Sequence, residues 1–366
     1  MAKPLVTHVL WTLGRGGAER MVFDLARRLP DLGYSVRVVA AGGGGDMEED
    51  FAHAGIPLAL NPNPGSRRAA VAFLRQELSE HRPAIWHTHL TPVWGGFAAR
   101  SSFVRPWVAT VHGYESGLPW LMRLARSFAY RRADYVVCVS EAVRASLRRS
   151  GGLGPNRSSV IPPGIDPDRF RPREPHLASD TPELLTVSRL VPEKGLDVLL
   201  EALSGVLRPW RLTMVGDGPE LPALKRQAEV LGILPRVRFV GAVADPSSFY
   251  QRADLFCFPS RSEGQGIALL EAAAARVPAL SSDLPAVREA FGEDAVAYAP
   301  ADDVDAWRRA LERALARYPE ALARADRAQA AVSSRYTLDV MAKSHAELYR
   351  RLLGRRHAPD GASRRV

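Results

Sequence analysis

Short apolar segments alternate with helical patterns along the whole chain, and this alternation constrains the fold more than any other feature. In the first half, the segments with strand character are 6–11, 35–40, 85–88, 107–111 and 135–139. In the second half, they are 184–188, 211–215, 238–240, 255–258 and 278–281. Most of them lack polar alternation, which is typical of parallel strands covered by helices on both faces. The sequence therefore predicts an α/β fold built on doubly wound parallel sheets.

A proline-rich stretch, IPPGIDPDRFRPREPHLASDTPE, separates the two halves. Proline removes a backbone donor and interrupts regular elements, so this stretch predicts a linker. The length of 366 residues also suits two domains. We expect a first domain 1–165, a linker 166–182, a second domain 183–335, a C-terminal helix 336–354 that packs back on the first domain, and a disordered tail 355–366.

A short internal repeat supports this division. The tripeptide RAD occurs at 132–134 before YVVCVS and at 252–254 before LFCFPS. Each copy predicts a helix end, an aspartate and a buried strand that finishes at Ser140 or Ser260. Two Rossmann-like domains that face one another would bring the carboxyl ends of their strands to a common cleft, where such folds bind ligands.

The segment SRSEGQGIALLE (260–271) carries the clearest signal for a binding site. Two glycines allow close backbone approach, and the helix predicted to follow would direct free N–H groups at a ligand. Placed at the start of that helix, Glu263 would lie about 12 Å from Glu271, eight residues later. This is too far for a glycosidase carboxylate pair but suits the two ends of an extended nucleotide sugar. The alternative is an ordinary loop glutamate and a glutamate on a helix surface.

Cations and glycines mark two further loops. Arg189 and Lys194, in VSRLVPEKG, follow a predicted strand at a spacing that can bracket a diphosphate, although an ordinary charged loop is the alternative. The N-terminal loop LGRGGAER contains Gly14, Gly16 and Gly17. It lacks the GxGxxG spacing, and no acidic residue ends the second strand, which argues against an NAD enzyme.

Three histidines end neighbouring strands of the first half. His87 and His89 end one strand and His112 ends the next, and all three are expected to point into the cleft. They have three interpretations: a metal site, structural histidines, or contacts with substrate, for which His112 is the best candidate. No cysteine or carboxylate cluster completes a metal site, so no metal is predicted.

Composition limits the compartment and the partners. Cys138 and Cys257 lie within apolar runs and are predicted to be core residues in a reducing compartment. The N-terminus lacks a signal peptide, and no stretch reaches the roughly 20 apolar residues of a membrane span. We therefore expect a cytoplasmic protein that is either free or bound to a membrane surface. The net charge of +9 comes mainly from arginine. Because a GC-rich genome also produces an excess of arginine over lysine, no nucleic-acid partner is predicted.

The segment GLPWLMRLARSFAYRR (117–132) has two interpretations. It is either a helix that packs its apolar face into the domain, or one that lies on anionic lipid.

Taken together, these motifs resemble family 4 of the retaining GT-B glycosyltransferases over nearly the whole chain. The resemblance rests on GRGGAER, the HTH and HGYE strand ends, SRLVPEKG, VGDGPE, FVGAV and SEGQGIALLE, the last of which matches the E-x7-E motif of the family. It implies two Rossmann-like domains around a cleft, with the acceptor on the first domain and a nucleotide-sugar donor on the second. The implied reaction is hexosyl transfer of EC class 2.4 with retention of configuration, without a cofactor or metal. The implied acceptor is a glycan, a lipid-linked glycan or a small molecule.

The resemblance also implies a role for each matching residue. Arg189 and Lys194 would neutralise the diphosphate, Glu271 would hold the ribose, and Glu263 and His112 would contact the transferred sugar. The catalytic set would be Arg189, Lys194, Glu263 and His112. The donor-binding set would be Gly16, Gly17, Arg189, Lys194, Gly216, Gly241, Glu263, Gly264, Gly266, Ile267 and Glu271.

Three positions depart from the family pattern: Gln265 replaces an apolar residue, Arg276 a glycine, and Pro285-Ala286 a glycine pair. The alternative functions are another GT-B enzyme, such as a nucleotide-sugar epimerase or a phosphorylase, and an inactive binding scaffold. No candidate lysine for pyridoxal phosphate is evident. The intact set of two cations and two glutamates favours a transferase over both alternatives.

Overall fold

Two separate parallel sheets form the framework of the computed structural model, which describes residues 2–114, 119–153, 156–174 and 180–356. The chain divides into two units. The first comprises Met1–Gly164 with Leu338–Val366, and the second comprises Ile165–Thr337. This confirms the predicted α/β fold with two doubly wound sheets.

The first unit contains seven strands: β1 Leu5–Leu10, β2 Ser35–Ala40, β3 Leu58–Leu60, β4 Ile85–His89, β5 Trp107–Val111, β6 Tyr135–Cys138 and β7 Ser158–Val160. Its helices are α1 Gly17–Arg28, α2 Glu48–His53, α3 Arg67–His81, α4 Pro92–Ser101, α5 Trp120–Arg132 and α6 Glu141–Arg149, together with the C-terminal helix α14 Leu338–Arg356. The strand order is β3-β2-β1-β4-β5-β6-β7, with parallel pairing throughout.

The second unit contains six strands: β8 Glu183–Val187, β9 Arg211–Val215, β10 Val237–Gly241, β11 Leu255–Phe258, β12 Ala279–Ser282 and β13 Ala297–Ala299. Its helices are α7 Leu196–Ser204, α8 Leu221–Val230, α9 Ser247–Tyr250, α10 Ile267–Ala274, α11 Pro285–Phe291, α12 Val304–Ala316 and α13 Tyr318–Arg335. The strand order is β10-β9-β8-β11-β12-β13, again parallel throughout.

The ten strands predicted from apolar runs are all present, with ends that differ by no more than one residue. The three strands that the prediction missed are β3, β7 and β13, which lie at sheet edges and have three residues each. Most of their residues are only partly buried, so they leave no apolar run in the sequence. Cys138 and Cys257 are buried free thiols, as expected.

The two RAD sequences have the same structural role. The carboxylate of Asp134 accepts a hydrogen bond from the backbone N–H of Trp107 at 2.8 Å. The carboxylate of Asp254 likewise accepts a hydrogen bond from the backbone N–H of Glu183 at 2.8 Å. Each aspartate thus ties the start of its own strand to the start of the neighbouring strand. The repeat therefore reflects the same strand pairing in both sheets.

The segment predicted as a linker, 166–182, begins inside the second unit. Phe170 is buried there, and Arg173 donates from its backbone to Ala275 and from its guanidinium to the hydroxyl of Tyr318. Residues 175–179 of this segment, and residues 357–366 of the predicted tail, lie outside the described residues.

Helix α5 contradicts the first of its two interpretations, in which its apolar face packs into the domain. Trp120, Leu121, Leu124 and Phe128 are 58–62% exposed. Only Ala129 and Tyr130 of this helix are buried. The sequence pattern identified an apolar stripe correctly, but only the packing of the unit decides whether such a stripe faces the core.

Candidate functional site

Both sheets reverse their strand order at one point, which lies between β1 and β4 in the first unit and between β8 and β11 in the second. Open α/β sheets bind ligands just beyond the carboxyl ends of the strands at such a point. The loops that follow β8 and β11 carry Arg189, Lys194 and Glu263. The predicted cationic and acidic residues of the second unit therefore flank its reversal point.

Lys194 and Glu263 form a direct ion pair. The ammonium of Lys194 donates to Oε1 of Glu263 at 2.5 Å, and the hydroxyl of Ser260 donates to the same oxygen at 2.7 Å. Both charged side chains are mostly buried. An ammonium has three donors, so Lys194 keeps donors for a ligand while it holds Glu263.

The loops that carry this pair are held together by Gly195 and Arg261. Gly195 has a φ of +60°, and a Cβ there would lie 2.1 Å from the carbonyl oxygen of Pro259, so only glycine allows this approach. Arg261 donates two hydrogen bonds to Asp197, at 3.0 and 2.8 Å, and one to Asp302 at 2.6 Å. The hydrogen bonds with Asp197 raise the pKa of Arg261.

Arg261 was missed at the sequence level, although it lies two residues before Glu263. A surface arginine in a loop carries no signal until its partners, Asp197 and Asp302, are known.

Arg189 has an exposed side chain, and no described residue forms a hydrogen bond or ion pair with that side chain. Beside it, Gly216 follows β9 with a φ of +134°, and a Cβ there would lie 1.8 Å from the carbonyl oxygen of Ser188. The backbone N–H of Gly216 donates a hydrogen bond to the carbonyl oxygen of Gly241 at 2.8 Å. The two predicted glycines thus hold the ends of β9 and β10 close to the Arg189 loop.

The position of Glu263 corrects the predicted helix geometry. Helix α10 begins at Ile267, and its N-cap Gly266 has a φ of 81° in the left-handed region. Glu263 and Gly264 therefore lie in the preceding loop, and the distance expected for eight helical residues between Glu263 and Glu271 does not apply. The two glycines make the chain turn before the helix starts, which separates the glutamates into different elements.

Glu271 lies within α10 next to Tyr250, a residue that no sequence pattern indicated. The Tyr250 hydroxyl lies 2.9 Å from Oε2 of Glu271 and 3.1 Å from the carbonyl oxygen of Ala268. Burial, followed by the nearby charge of Glu271, raises the pKa of Tyr250 well above its usual value. Tyr250 therefore stays protonated and fixes the carboxylate of Glu271.

The three departures from the family pattern have the following places in the structure. Arg276 has a φ of +61°, the left-handed region that favours glycine, so it keeps the backbone shape of the glycine that it replaces. Pro285 is the first residue of α11, a position where its missing N–H costs nothing. Gln265 is buried, as an apolar residue in its place would be.

In the first unit, the predicted glycines lie at the beginning of α1. Gly16 is the N-cap of this helix and Gly17 is its first residue, directly after the loop that follows β1. His112 lies just beyond β5 and is partly exposed. These residues thus lie on the carboxyl side of their sheet, as predicted.

His87 and His89 lie in the interior of the first unit, which corrects the prediction that they point into a cleft. Both are completely buried. Nδ1 of His87 lies 2.6 Å from the hydroxyl of Tyr349 in α14, and its Nε2 lies 2.7 Å from the hydroxyl of Thr110. Nδ1 of His89 lies 3.1 Å from Nε2 of His112. His87 and His89 are two residues apart on β4, so their side chains lie on the same face of the sheet. Since His87 contacts Tyr349 of α14, this helix covers that face.

Two further histidines join the cluster, and no sequence pattern indicated either of them. His8 on β1 is in register with His87, and His345 comes from α14. Ring nitrogens of His8, His87 and His89 lie within 4.8 Å of one another, a spacing that one metal ion could bridge. The expectation of a metal-free protein remains a prediction, which the metal content of the purified protein tests.

Comparison with known proteins gives two family models that match most of the chain: Glycosyltransferase Family 4 over residues 15–169 and Glycosyl transferases group 1 over residues 168–331. The GDP-mannose-dependent alpha-(1-6)-phosphatidylinositol monomannoside mannosyltransferase of Mycobacterium tuberculosis is 33% identical over 244 residues, which cover 57% of this chain and 60% of that protein. Glycogen synthase of the same species is 30% identical over 287 residues, 73% of this chain and 69% of that enzyme.

Among solved structures, Anabaena HepE in complex with UDP-glucose superposes with a TM-score of 0.86 at 22% identity, covering 95% of this chain and 100% of HepE. At that identity the likeness shows the fold alone. The family models, the glycogen synthase match and the two doubly wound sheets agree, and the chain therefore belongs to the family 4 (group 1) glycosyltransferases, which have the GT-B fold.

Proposed function

We propose that the protein transfers a hexosyl group from a nucleotide-diphosphate sugar to an acceptor with retention of anomeric configuration. The observation that carries this proposal is the Lys194–Glu263 ion pair at the reversal point of the second sheet. Arg189 lies in the same loop as Lys194, and its side chain has no partner among the described residues. A cation that is already positioned before the reaction stabilises negative charge that develops on a leaving diphosphate.

Each residue of the site then has one task. Arg189 and Lys194 hold the diphosphate and stabilise the charge that forms when the glycosidic bond breaks. Glu263, held by Ser260 and Lys194, accepts hydrogen bonds from hydroxyls of the transferred sugar. Glu271, fixed by Tyr250, binds the ribose hydroxyls. Departure and attack on the same face of the sugar would give retention, and no metal is needed, because the two cations neutralise the diphosphate.

The remaining donor-binding positions provide backbone rather than side chains. Gly216 and Gly241 let the chain approach the nucleotide, Gly264, Gly266 and Ile267 form the turn into α10, and Gly16 and Gly17 bring the N-terminal loop close to the donor and the acceptor. For the donor itself we propose GDP-mannose, because mycobacterial relatives that are 33% and 36% identical are named as GDP-mannose-dependent enzymes. We propose a lipid-linked glycan or lipid headgroup as the acceptor class.

Calorimetric titration with GDP-mannose, UDP-glucose, ADP-glucose and a dTDP-sugar tests the donor. We expect GDP-mannose to bind most tightly, and NMR of the product to show the anomeric configuration of the donor. Preferred binding of a UDP-sugar would contradict the donor assignment. Failure to bind or consume any nucleotide sugar would contradict the function itself.

Replacing Glu271 with alanine is expected to weaken the binding of the free nucleoside diphosphate by about tenfold to a hundredfold, since a hydrogen bond to a charged group contributes roughly 1.5–3 kcal/mol. Calorimetry measures this directly. Replacing Glu201, an exposed glutamate on α7, with alanine is the matched control and should leave the affinity unchanged. Wild-type affinity in the Glu271 variant would exclude the ribose role.

We also propose that α5 binds an anionic membrane surface. No helix in the described part of the chain has both the length and the apolar character to span a bilayer, so contact would be peripheral. The exposed apolar residues of α5 lie beside α4, whose Phe97 is also exposed. Between Leu90 and Arg132 the sequence contains six arginines and one acidic residue, Glu115. An apolar stripe bordered by cations suits anionic lipid.

Co-sedimentation with vesicles tests this surface. We expect the protein to bind phosphatidylglycerol vesicles, with binding reduced by salt and by a neutral phosphatidylcholine composition. Replacing Leu124 with aspartate should weaken binding at least tenfold, because it removes an apolar contact of about 1.5–3 kcal/mol and adds a repelled charge. Leu207→Asp, at an exposed leucine of the second unit, is the control. A dimer that depends on Leu124, without lipid binding, would overturn the proposal.

A further inference from the structure

His8, His89 and His112 form a continuous chain of hydrogen bonds between imidazole rings in the first unit. Nδ1 of His8 lies 3.0 Å from Nε2 of His89, and Nδ1 of His89 lies 3.1 Å from Nε2 of His112. His8 and His89 are completely buried, whereas His112 is partly exposed beyond the end of β5. The chain therefore leads from the interior of the sheet to one ring with an accessible surface.

These rings are neutral at physiological pH. Burial, followed by the charge of His345, lowers the pKa of His8 to about 3. Burial, followed by His345 and Arg126, lowers the pKa of His112 to about 3. Burial and the neighbouring histidines, including His87, lower the pKa of His89 well below its usual value. A neutral imidazole has one N–H and one lone pair.

Neutral rings in such a chain must all take the same tautomer. If His89 carries its proton on Nδ1, it donates to His112 and must accept from His8. If it carries the proton on Nε2, it donates to His8 and must accept from His112. The proton of His89 therefore determines which nitrogen of His112 is protonated.

The buried end of the chain favours one of these two directions. Nε2 of His8 is buried, and no described residue forms a hydrogen bond with it. If each ring donated its hydrogen bond towards His8, Nε2 of His8 would carry an N–H without an acceptor. Such buried N–H groups are rare in folded proteins. If each ring instead donates towards His112, Nε2 of His8 carries only a lone pair, which is left without a donor.

We propose that His8 and His89 are positioning residues that set His112 as the Nδ1–H tautomer, so that Nδ1 donates a hydrogen bond to a hydroxyl oxygen of the transferred sugar. This inference rests on the proposed function for the sugar contact alone. Nε2 of His112 is occupied by His89, and no described residue bonds its Nδ1. His8 lies more than 100 residues before His112 in the sequence, and the pairing of β1, β4 and β5 brings them together.

Side-chain ¹⁵N NMR of histidine-labelled protein reports directly which nitrogen of each ring is protonated. We expect Nδ1 of His112 to carry the proton, with the signals assigned by their loss in His112→Gln. His8→Asn and His8→Leu form a matched pair, because the amide nitrogen of asparagine keeps a donor close to the place of Nδ1 and leucine does not. We expect His8→Asn to keep the wild-type tautomer and His8→Leu to lose it.

Activity gives an independent readout. In His8→Leu, kcat should fall about tenfold, the effect of losing one well-oriented hydrogen bond. The affinity of His8→Leu for the free nucleoside diphosphate should stay unchanged, and kcat of His8→Asn should be close to that of the wild type. Because the NMR measurement needs no substrate, it decides the tautomer even if glycosyl transfer is disproved or His8→Leu fails to fold. An Nε2–H tautomer of His112 in the wild type, or stoichiometric metal in the purified protein, would overturn the proposal.

Discussion

Replacing Lys194 with alanine is expected to lower turnover by about a hundredfold or more, the usual effect of removing one preorganised electrostatic stabiliser. Two effects combine in this variant. The leaving diphosphate loses a cation, and Glu263 loses the ammonium that lies 2.5 Å from it. Ser260 still donates to Glu263, so the glutamate keeps one partner. Steady-state kinetics with the donor found by calorimetry measures the loss.

Matched variants separate these effects. Lys225→Ala removes an exposed lysine from α8 of the same unit and should leave turnover unchanged. Arg189→Ala should also lower turnover by about a hundredfold, although Arg189 supports no other described side chain. If both Lys194→Ala and Arg189→Ala turn over at the normal rate, the diphosphate assignment is wrong.

A fall in pH from 7.5 to 5.5 is expected to remove several kcal/mol from the free energy of unfolding. Burial lowers the pKa of His8 to about 3 and of His345 to about 4, and it holds His87 and His89 well below their usual values. In the unfolded chain these groups titrate near 6.5. The unfolded state therefore binds more protons than the folded state between about pH 6.5 and 4.

The sign follows from that difference in protons. Each of the four histidines contributes stability above pH 6.5, and below it each loses about 1.4 kcal/mol per pH unit. The total is comparable to the 5–15 kcal/mol that typically separates folded from unfolded proteins. Urea unfolding at pH 7.5, 6.5 and 5.5 measures this slope.

Removing an exposed histidine provides the control. His53→Gln should leave the slope unchanged, since its ring is exposed on α2. Calorimetry in buffers of different ionisation enthalpy should show uptake of several protons on unfolding at pH 5.5. Uptake near zero would mean that the buried histidines are already protonated in the folded state.

Much of the candidate site could be identified from local sequence. Glu263, the turn through Gly264 and Gly266, and Arg189 with Lys194 lie in short motifs beside strong strands, so the local pattern alone places their loops at strand ends. Their partners could not be identified in this way. Tyr250 reaches Glu271 from another helix, and Arg261 binds Asp197 and Asp302, which lie 64 and 41 residues away along the chain.

Local sequence patterns were sufficient to predict the succession of strands along the chain, the two similar halves and the loops that carry charge, because parallel strands buried on both faces leave apolar runs. Which apolar stripes and which histidine rings are buried follows only from the packing of the folded chain. The apolar face of α5 is exposed although it has the pattern of a core helix, and four histidines from two strands and a C-terminal helix meet in the interior. Burial depends on what packs against a side chain, and for these residues the packing partners are distant in sequence.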